Sequence, residues 1–359
     1  MNTKIELTQE QKKTLHNSNK SEQKLLNMCF RTLGPSMQKY LPNVIDLGDI
    51  PRVFLHGNPH IDNYVRTPTG CGMVDFDRAR NGPFLWDIIR FLGSIATNQK
   101  KHSKKLLRDS SVQAFLSGYK KGCSSQIMKH CMPSILHDLS KSNEHPNVRV
   151  RDTHKRWKKR IANNQLDIQD PSVVGLLSLY LKNREESFFL NHYKLVEAGF
   201  SRGSFGKKHT LYFLRPNQHY NHSKQEIIID IVETYAEKNN QYFSHDFDHN
   251  GKRMIAAADV YAPGIEYRLG YLSSGEKHLC GREIPSLQSK LVFPVDKETE
   301  NELTFYVGWQ LAQGHCKSRE TLDNTNLFDV LSKKLSTVLD AVNVYHSELL
   351  KCYQEITKE

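Results

Sequence analysis

The chain has no run approaching the roughly 18 consecutive apolar residues that a membrane-spanning helix needs. Its opening, MNTKIELTQEQKK, lacks both an apolar core and a small-residue cleavage site, which argues against a secretory signal and leaves a cytosolic protein as the expectation. Cysteine is sparse: seven residues, at 29, 71, 123, 131, 280, 316 and 352, odd in number and never in a Cys-x-x-Cys pair. A disulfide framework or a structural zinc site is thereby disfavoured, and reduced, packed thiols are expected. There is no internal repeat, no long low-complexity linker and no Gly-x-Ser-x-Gly elbow. No His-x-x-x-His pair falls on an expected helix, so the seventeen histidines suggest no zinc site. Acidic residues are in deficit, 39 against 50 Lys and Arg, for a net charge of +11.

What is present is 359 residues, 38% hydrophobic and 25% charged, enough for a sizeable core in two domains or two lobes. Much of the positive excess sits in 100–121 and 149–160, the latter reading Arg149-Val150-Arg151-Asp152-Thr153-His154-Lys155-Arg156-Trp157-Lys158-Lys159-Arg160. A basic face with an interleaved aromatic suits nucleic acid or an anionic surface through counterion release. A solvated helix face, the favoured reading, or a preference for phosphorylated ligands accounts for it equally simply.

Periodicity divides the chain into four parts. An N-terminal helical segment covers 1–50, with Leu25, Leu26, Cys29, Phe30 and Leu33 at helical spacing. A helical lobe over 51–185 has helices expected at 84–95, 106–119, through the basic stretch into Ile161, and at 174–181. Residues 186–300 form a small β-rich region with strands expected at 210–214, 226–232 and 267–272. Helices in 301–359 complete the helical lobe. Within 64–76 two short β-prone runs flank Thr67-Pro68-Thr69-Gly70-Cys71-Gly72, a hairpin that would bring Asn63 and Asp75 close together.

The chemistry-bearing residues are His56-Gly57-Asn58-Pro59-His60-Ile61-Asp62-Asn63, then Val74-Asp75-Phe76-Asp77, then Trp86-Asp87-Ile88-Ile89-Arg90. Phosphoryl transfer needs a carboxylate to orient the acceptor, oxygen ligands for magnesium, and positive charge or amides on the phosphates. The order resembles that of aminoglycoside-kinase-like enzymes, His-Gly-Asp-x-His-x-x-Asn followed by a strand ending in Asp and a further Asp on the next helix, matched at His56, Gly57, His60, Asn63, Asp75 and Asp87. The resemblance implies that Asn63 and Asp75 bind magnesium, that Asp87 hydrogen-bonds the loop, and that His60 packs beneath it. Asn58 stands at the catalytic carboxylate's position, and an amide cannot act as a general base. Three readings follow: a pseudoenzyme, slow transfer by positioning alone, or Asp62 serving as the carboxylate, with Asp77 as a further spare.

No glycine-rich loop precedes residue 56, but Ala198-Gly199-Phe200-Ser201-Arg202-Gly203-Ser204-Phe205-Gly206-Lys207 lies downstream, where Gly203, Ser204 and Gly206 would approach phosphate oxygens. With the strand Ile227–Glu233, the segment Cys280-Gly281-Arg282-Glu283-Ile284-Pro285 and Gly308-Trp309-Gln310-Leu311-Ala312-Gln313-Gly314-His315, the chain from about His56 onward resembles the bacterial domain of unknown function 2252 family. That resemblance implies an α+β, two-lobed, protein-kinase-like (aminoglycoside-phosphotransferase-like) fold, circularly permuted, with Glu233 and Arg282 lining a nucleotide cleft. Two departures stand out. Val232 replaces the lysine of the family's Lys-Glu-Ala strand, and Asn58 replaces the carboxylate, so two groups that each support transfer are gone together.

His245-Asp246-Phe247-Asp248-His249-Asn250-Gly251 begins like a calcium loop, but its twelfth position is Ala257 and a polar turn is expected. The sequence points to a degenerate phosphotransferase-fold protein, weakly active or a pseudokinase, holding ATP and Mg2+ between its lobes. If it is active, the acceptor is a small molecule or a protein. The alternative is a non-catalytic binding module that uses the cleft or the basic helices, with nucleic acid a less favoured partner.

Overall fold

The computed structural model describes residues 22–99, 106–124, 132–137, 147–203, 207–217, 225–318 and 326–358. The chain starts with α1 (Glu22–Tyr40), β1 (Arg52–Leu55), the hairpin strands β2 (Tyr64–Thr67) and β3 (Gly70–Met73), β4 (Arg80–Pro83), and helices α2 (Leu85–Asn98) and α3 (Asp109–Ser124). Strand β5 (Val148–Asp152) runs straight into α4 (Thr153–Asn163), then β6 (Gln165–Leu166), α5 (Pro171–Asn183) and the single turn α6 (Phe189–His192). Strands β7 (Tyr193–Arg202), β8 (Lys208–Pro216) and β9 (Ile227–Glu233) precede α7 (Asn250–Tyr261). Strands β10 (Tyr267–Ser274), β11 (Lys277–Ile284) and β12 (Leu287–Leu291) lead into α8 (Lys297–Lys317) and α9 (Leu327–Lys358).

Helix α2 is buried along its whole length, Asp87 and Arg90 included, so it forms the axis of the helical region with α1 and α9 against it. Two buried ionisable groups on one helix require built-in partners, because an unpaired buried charge costs several kcal/mol on the order of magnitude. Helices α3 and α8 approach backbone to backbone. A Cβ on Gly118 would overlap the Phe305 carbonyl, and one on Gly308 would reach 2.5 Å from the Phe115 carbonyl oxygen.

The six-stranded antiparallel sheet has the order β10-β11-β9-β8-β7-β6. Strand β9 reads Ile-Ile-Ile-Asp-Ile because both of its faces are covered. Ile229 and Ile231 pack with Leu177, Tyr180 and Leu181 of α5, whereas Ile228, Leu211 and Phe213 pack with Ile161 and Trp157 of α4. Helix α5, expected in the helical lobe, thus belongs to this sheet by packing. Its apolar spacing predicts a helix but not the surface that receives it. The sheet runs from Gln165 to Ile284, while β12 joins the separate order β3-β2-β12-β5, which ties the motif hairpin to the strand leading into α4. The segment at 245–251 starts a helix, since His249 caps α7 by accepting the Gly251 N–H at 2.9 Å on Nδ1.

Two glycine substitutions should act in opposite directions in denaturant unfolding. Gly118→Ala should destabilise by about 1–3 kcal/mol through overpacking against α8. Gly175→Ala on the exposed side of α5, where an added Cβ meets nothing within 4 Å, should stabilise by up to about 1 kcal/mol.

Candidate active site

The loop after β1 is held by its backbone. The His56 N–H donates to Asp87 Oδ2 at 2.8 Å and the Gly57 N–H to Oδ1 at 2.9 Å, and the Trp86 indole N–H donates to the Gly57 carbonyl at 3.0 Å. Gly57 has φ +84°, and a Cβ there would overlap the Arg78 carbonyl, so glycine is required. Behind Asp87, His315 of α8 places Nε2 3.2 Å from Oδ2 and Nδ1 2.9 Å from the Tyr119 hydroxyl. A neutral His315 protonated on Nε2 satisfies both contacts. Its role was signalled only by the Leu-Ala-Gln-Gly-His segment. The His56 ring packs 4.6 Å from Phe76 and 5.8 Å from Tyr261 between centroids. Both of its nitrogens are sealed from solvent without a hydrogen-bond partner, and burial lowers its pKa. His60 is likewise buried, with its pKa held well below the ordinary value by burial and then by Arg31 and Arg90.

Asn58 is fixed by Arg90. The guanidinium donates Nε–H at 3.0 Å and Nη2–H at 2.8 Å to Asn58 Oδ1, donates Nη1–H to the Phe30 carbonyl at 2.7 Å and to the Tyr345 hydroxyl, and lies 3.9 Å over the Phe30 ring. Arg90 is fully buried with no carboxylate within ion-pair distance among the described residues, and burial brings it down to about 10. The Asn58 amide oxygen is therefore occupied by a cation. The arginine of Trp-Asp-x-x-Arg had been given no role by sequence reasoning.

The β2–β3 hairpin forms with a two-residue turn. The Val74 N–H donates to the Asn63 carbonyl at 3.0 Å, and Asn63 Nδ2–H donates to the Asn58 carbonyl at 3.2 Å. Asp75 is exposed to the cleft in a left-handed conformation, φ +75°. Asp77 Oδ1 is sealed with no hydrogen-bond partner, and burial, then the neighbouring Asp75, push its carboxyl up to about 8. This orphaned oxygen, the Asp75 carboxylate and the Asn63 amide line one cleft, and hard oxygen donors of this kind fit magnesium. Among the described residues no three His, Cys, Asp or Glu side chains cluster as a metal site. Asp62 is not brought in: its carboxylate lies 3.8 Å from Arg31, it does not line the cleft, and its carbonyl accepts Lys290 Nζ–H at 2.6 Å.

The cleft encloses about 500 Å³ between the hairpin and the sheet. Gly203, whose N–H donates to the Lys207 carbonyl at 2.9 Å, and Val232, Glu233 and Arg282 all line it. Ser204 and Gly206 lie outside the described residues. Lys207 Nζ–H donates to the Thr234 carbonyl at 2.8 Å and sits 3.7 Å from Glu233. Arg282 pairs with Glu266 and lies 3.8 Å from Asp230. Glu237 takes both Arg78 and, at 3.3 Å, Arg80.

Residues 8–120 match the phosphotransferase enzyme family (APH). The chain carries a kinase-like phosphotransferase relationship, and its helices and antiparallel sheets agree with an α+β kinase-like fold. No curated protein and no solved structure matches the chain.

The sealed ring of His56 predicts acid sensitivity. A histidine whose pKa is lowered on folding leaves the unfolded state binding more protons, so stability is lost as pH falls below about 6.5, the unfolded value. His56→Leu should show a smaller loss of unfolding free energy between pH 7 and pH 5 than the parent chain, and superimposable pH profiles would contradict this.

Proposed function

We propose that the chain is a kinase-like phosphotransferase-fold protein in permuted order, akin to the domain of unknown function 2252 family, that holds ATP and Mg2+ between its lobes and transfers phosphate little or not at all. The observation that carries this reading is the pinning of Asn58 Oδ1 by the buried Arg90, beside a cleft that retains Asn63, Asp75 and Asp77. A group that accepts two hydrogen bonds from a guanidinium and has no titratable proton cannot take a proton from an acceptor hydroxyl. Val232 adds no cation from β9, although Lys207, just ahead of the paired strand β8, reaches the Thr234 carbonyl.

Asn63 and Asp75, with Asp77 adjacent, would hold magnesium, which when bound neutralises phosphate charge. The Gly203 turn, Glu233 and Arg282 would border the nucleotide. The acceptor, if transfer occurs, is a small molecule or a protein. The rival reading, a binding module that never takes nucleotide, rests on the basic stretch. Four residues of that stretch, Thr153, Arg156, Trp157 and Arg160, line the same cleft, which favours an anionic ligand inside it.

ATP with Mg2+ at saturating concentration should raise the melting temperature by roughly 2–4 °C, and Asp75→Ala should abolish the magnesium-dependent part. No shift with any nucleotide would sink the reading. Combining Asn58→Asp with Val232→Lys should produce nucleotide hydrolysis that the parent chain lacks. Vigorous hydrolysis by the unaltered chain would show instead that the centre is not degenerate.

A further inference from the structure

Resting on that reading, we propose that Arg156 and Arg160 of α4 form a phosphate subsite in the cleft, and that the ligand is recognised through its polyphosphate chain rather than through a base. Helix α4 turns one stripe, Thr153, Arg156, Trp157 and Arg160, to the cleft at spacings of three, four and seven. Arg160 is half-buried. Its Nη1–H donates to the Ser201 hydroxyl at 3.2 Å and its guanidinium lies 4.5 Å over the Trp157 ring, so both partners are neutral. Arg156, one turn earlier, is exposed to the cleft. Neither has a carboxylate within ion-pair distance among the described residues.

Four other cations of the cleft have carboxylate partners: Arg78 and Arg80 pair with Glu237, Arg282 with Glu266 and Lys207 with Glu233. Two arginines at i and i+4 repel each other, and Arg160 has its pKa lowered first by burial and then by Arg156. A phosphate between them would relieve that repulsion and accept charge-assisted hydrogen bonds.

The helix is rigidly placed for this. Asp152 caps it by accepting the Lys155 N–H at 2.8 Å, Thr153 Oγ1–H donates to the Pro285 carbonyl, and His154 Nε2–H donates to the Ile284 carbonyl at 3.0 Å. Lys158 is held by Glu226. Gly199 lets β7 come so close that an added Cβ would be 2.8 Å from the Ile161 Cα. The same helix explains the indifference to a base. Trp157 and Ile161 bury Leu211, Phe213 and Ile228 of β8 and β9, so beside Arg156 and Arg160 these three side chains offer a planar base no surface.

Calorimetric titration of the full chain with Mg2+ plus ATP, GTP, CTP or inorganic tripolyphosphate tests this. All four should bind within about fivefold of one another, and the double variant R156Q/R160Q should weaken each by about tenfold or more. Lys159→Gln, which removes one charge from the exposed side of α4, should change each by less than about twofold, and matching circular dichroism confirms folding. Tripolyphosphate binding without ATP binding upholds the subsite while defeating the nucleotide reading. ATP bound more than about tenfold tighter than GTP and CTP, or bound equally well by the double variant, overturns the subsite and leaves the nucleotide reading intact. Binding of none of the four overturns both.

Discussion

The Asp87 carboxylate, sealed within the helix that forms the axis of the helical region, accepts the peptide N–H groups of His56 and Gly57 and so ties the motif loop to an element that cannot shift without unpacking the core. A buried carboxylate costs free energy unless its oxygens are satisfied. Here each oxygen takes a backbone donor, and His315, itself met by Tyr119, completes the set from α8. Three segments distant in sequence are thereby locked at one point. The left-handed Gly57 and the indole bond of Trp86 then leave the loop a single path towards the cleft.

One turn further along the same helix, Arg90 reaches Asn58. These two buried polar residues of α2 divide the work: one fixes the backbone of the loop and the other fixes the side chain of Asn58. A carboxylate at position 58 would form a buried ion pair with Arg90, whereas the amide makes a neutral-to-cation contact and leaves the guanidinium with its pKa lowered by burial. The oxygen donors of Asn63, Asp75 and Asp77 flank the adjoining hairpin, and Asp77 keeps one sealed oxygen without a hydrogen-bond partner.

Much of this was legible in the sequence. Helices α2, α8 and α9 and strands β8, β9 and β10 follow from apolar periodicity, and the hairpin that joins Asn63 to Val74 follows from its turn-rich centre. Other parts were not legible, for physical reasons. Helix α7 begins on a histidine cap, outside the usual Ser, Thr, Asp and Asn set, inside a segment whose acids resemble a cation loop. The apolar stripe of α5 announces burial without naming the sheet that buries it. The basic stretch at 149–160 looked like a solvated face because charge alone does not say which side of a helix a protein turns inward, and packing of Trp157 and Ile161 decided that. Asp62 sits one residue from a site residue, yet the tight turn before β2 points its carboxylate at Arg31. The roles of Arg90 and His315 are tertiary: each reaches its partner across 32 and 228 residues of sequence.

The proposed function pairs two claims, that the cleft binds ATP with magnesium and that Asn58 leaves it without a base. Phosphorus NMR of the unaltered chain with ATP and Mg2+ addresses that pairing in a single sample. It predicts displaced and broadened phosphate resonances of bound ATP, with no accumulation of orthophosphate or of a new phosphoester over hours. Unperturbed ATP resonances, or rapid conversion of ATP, would contradict it.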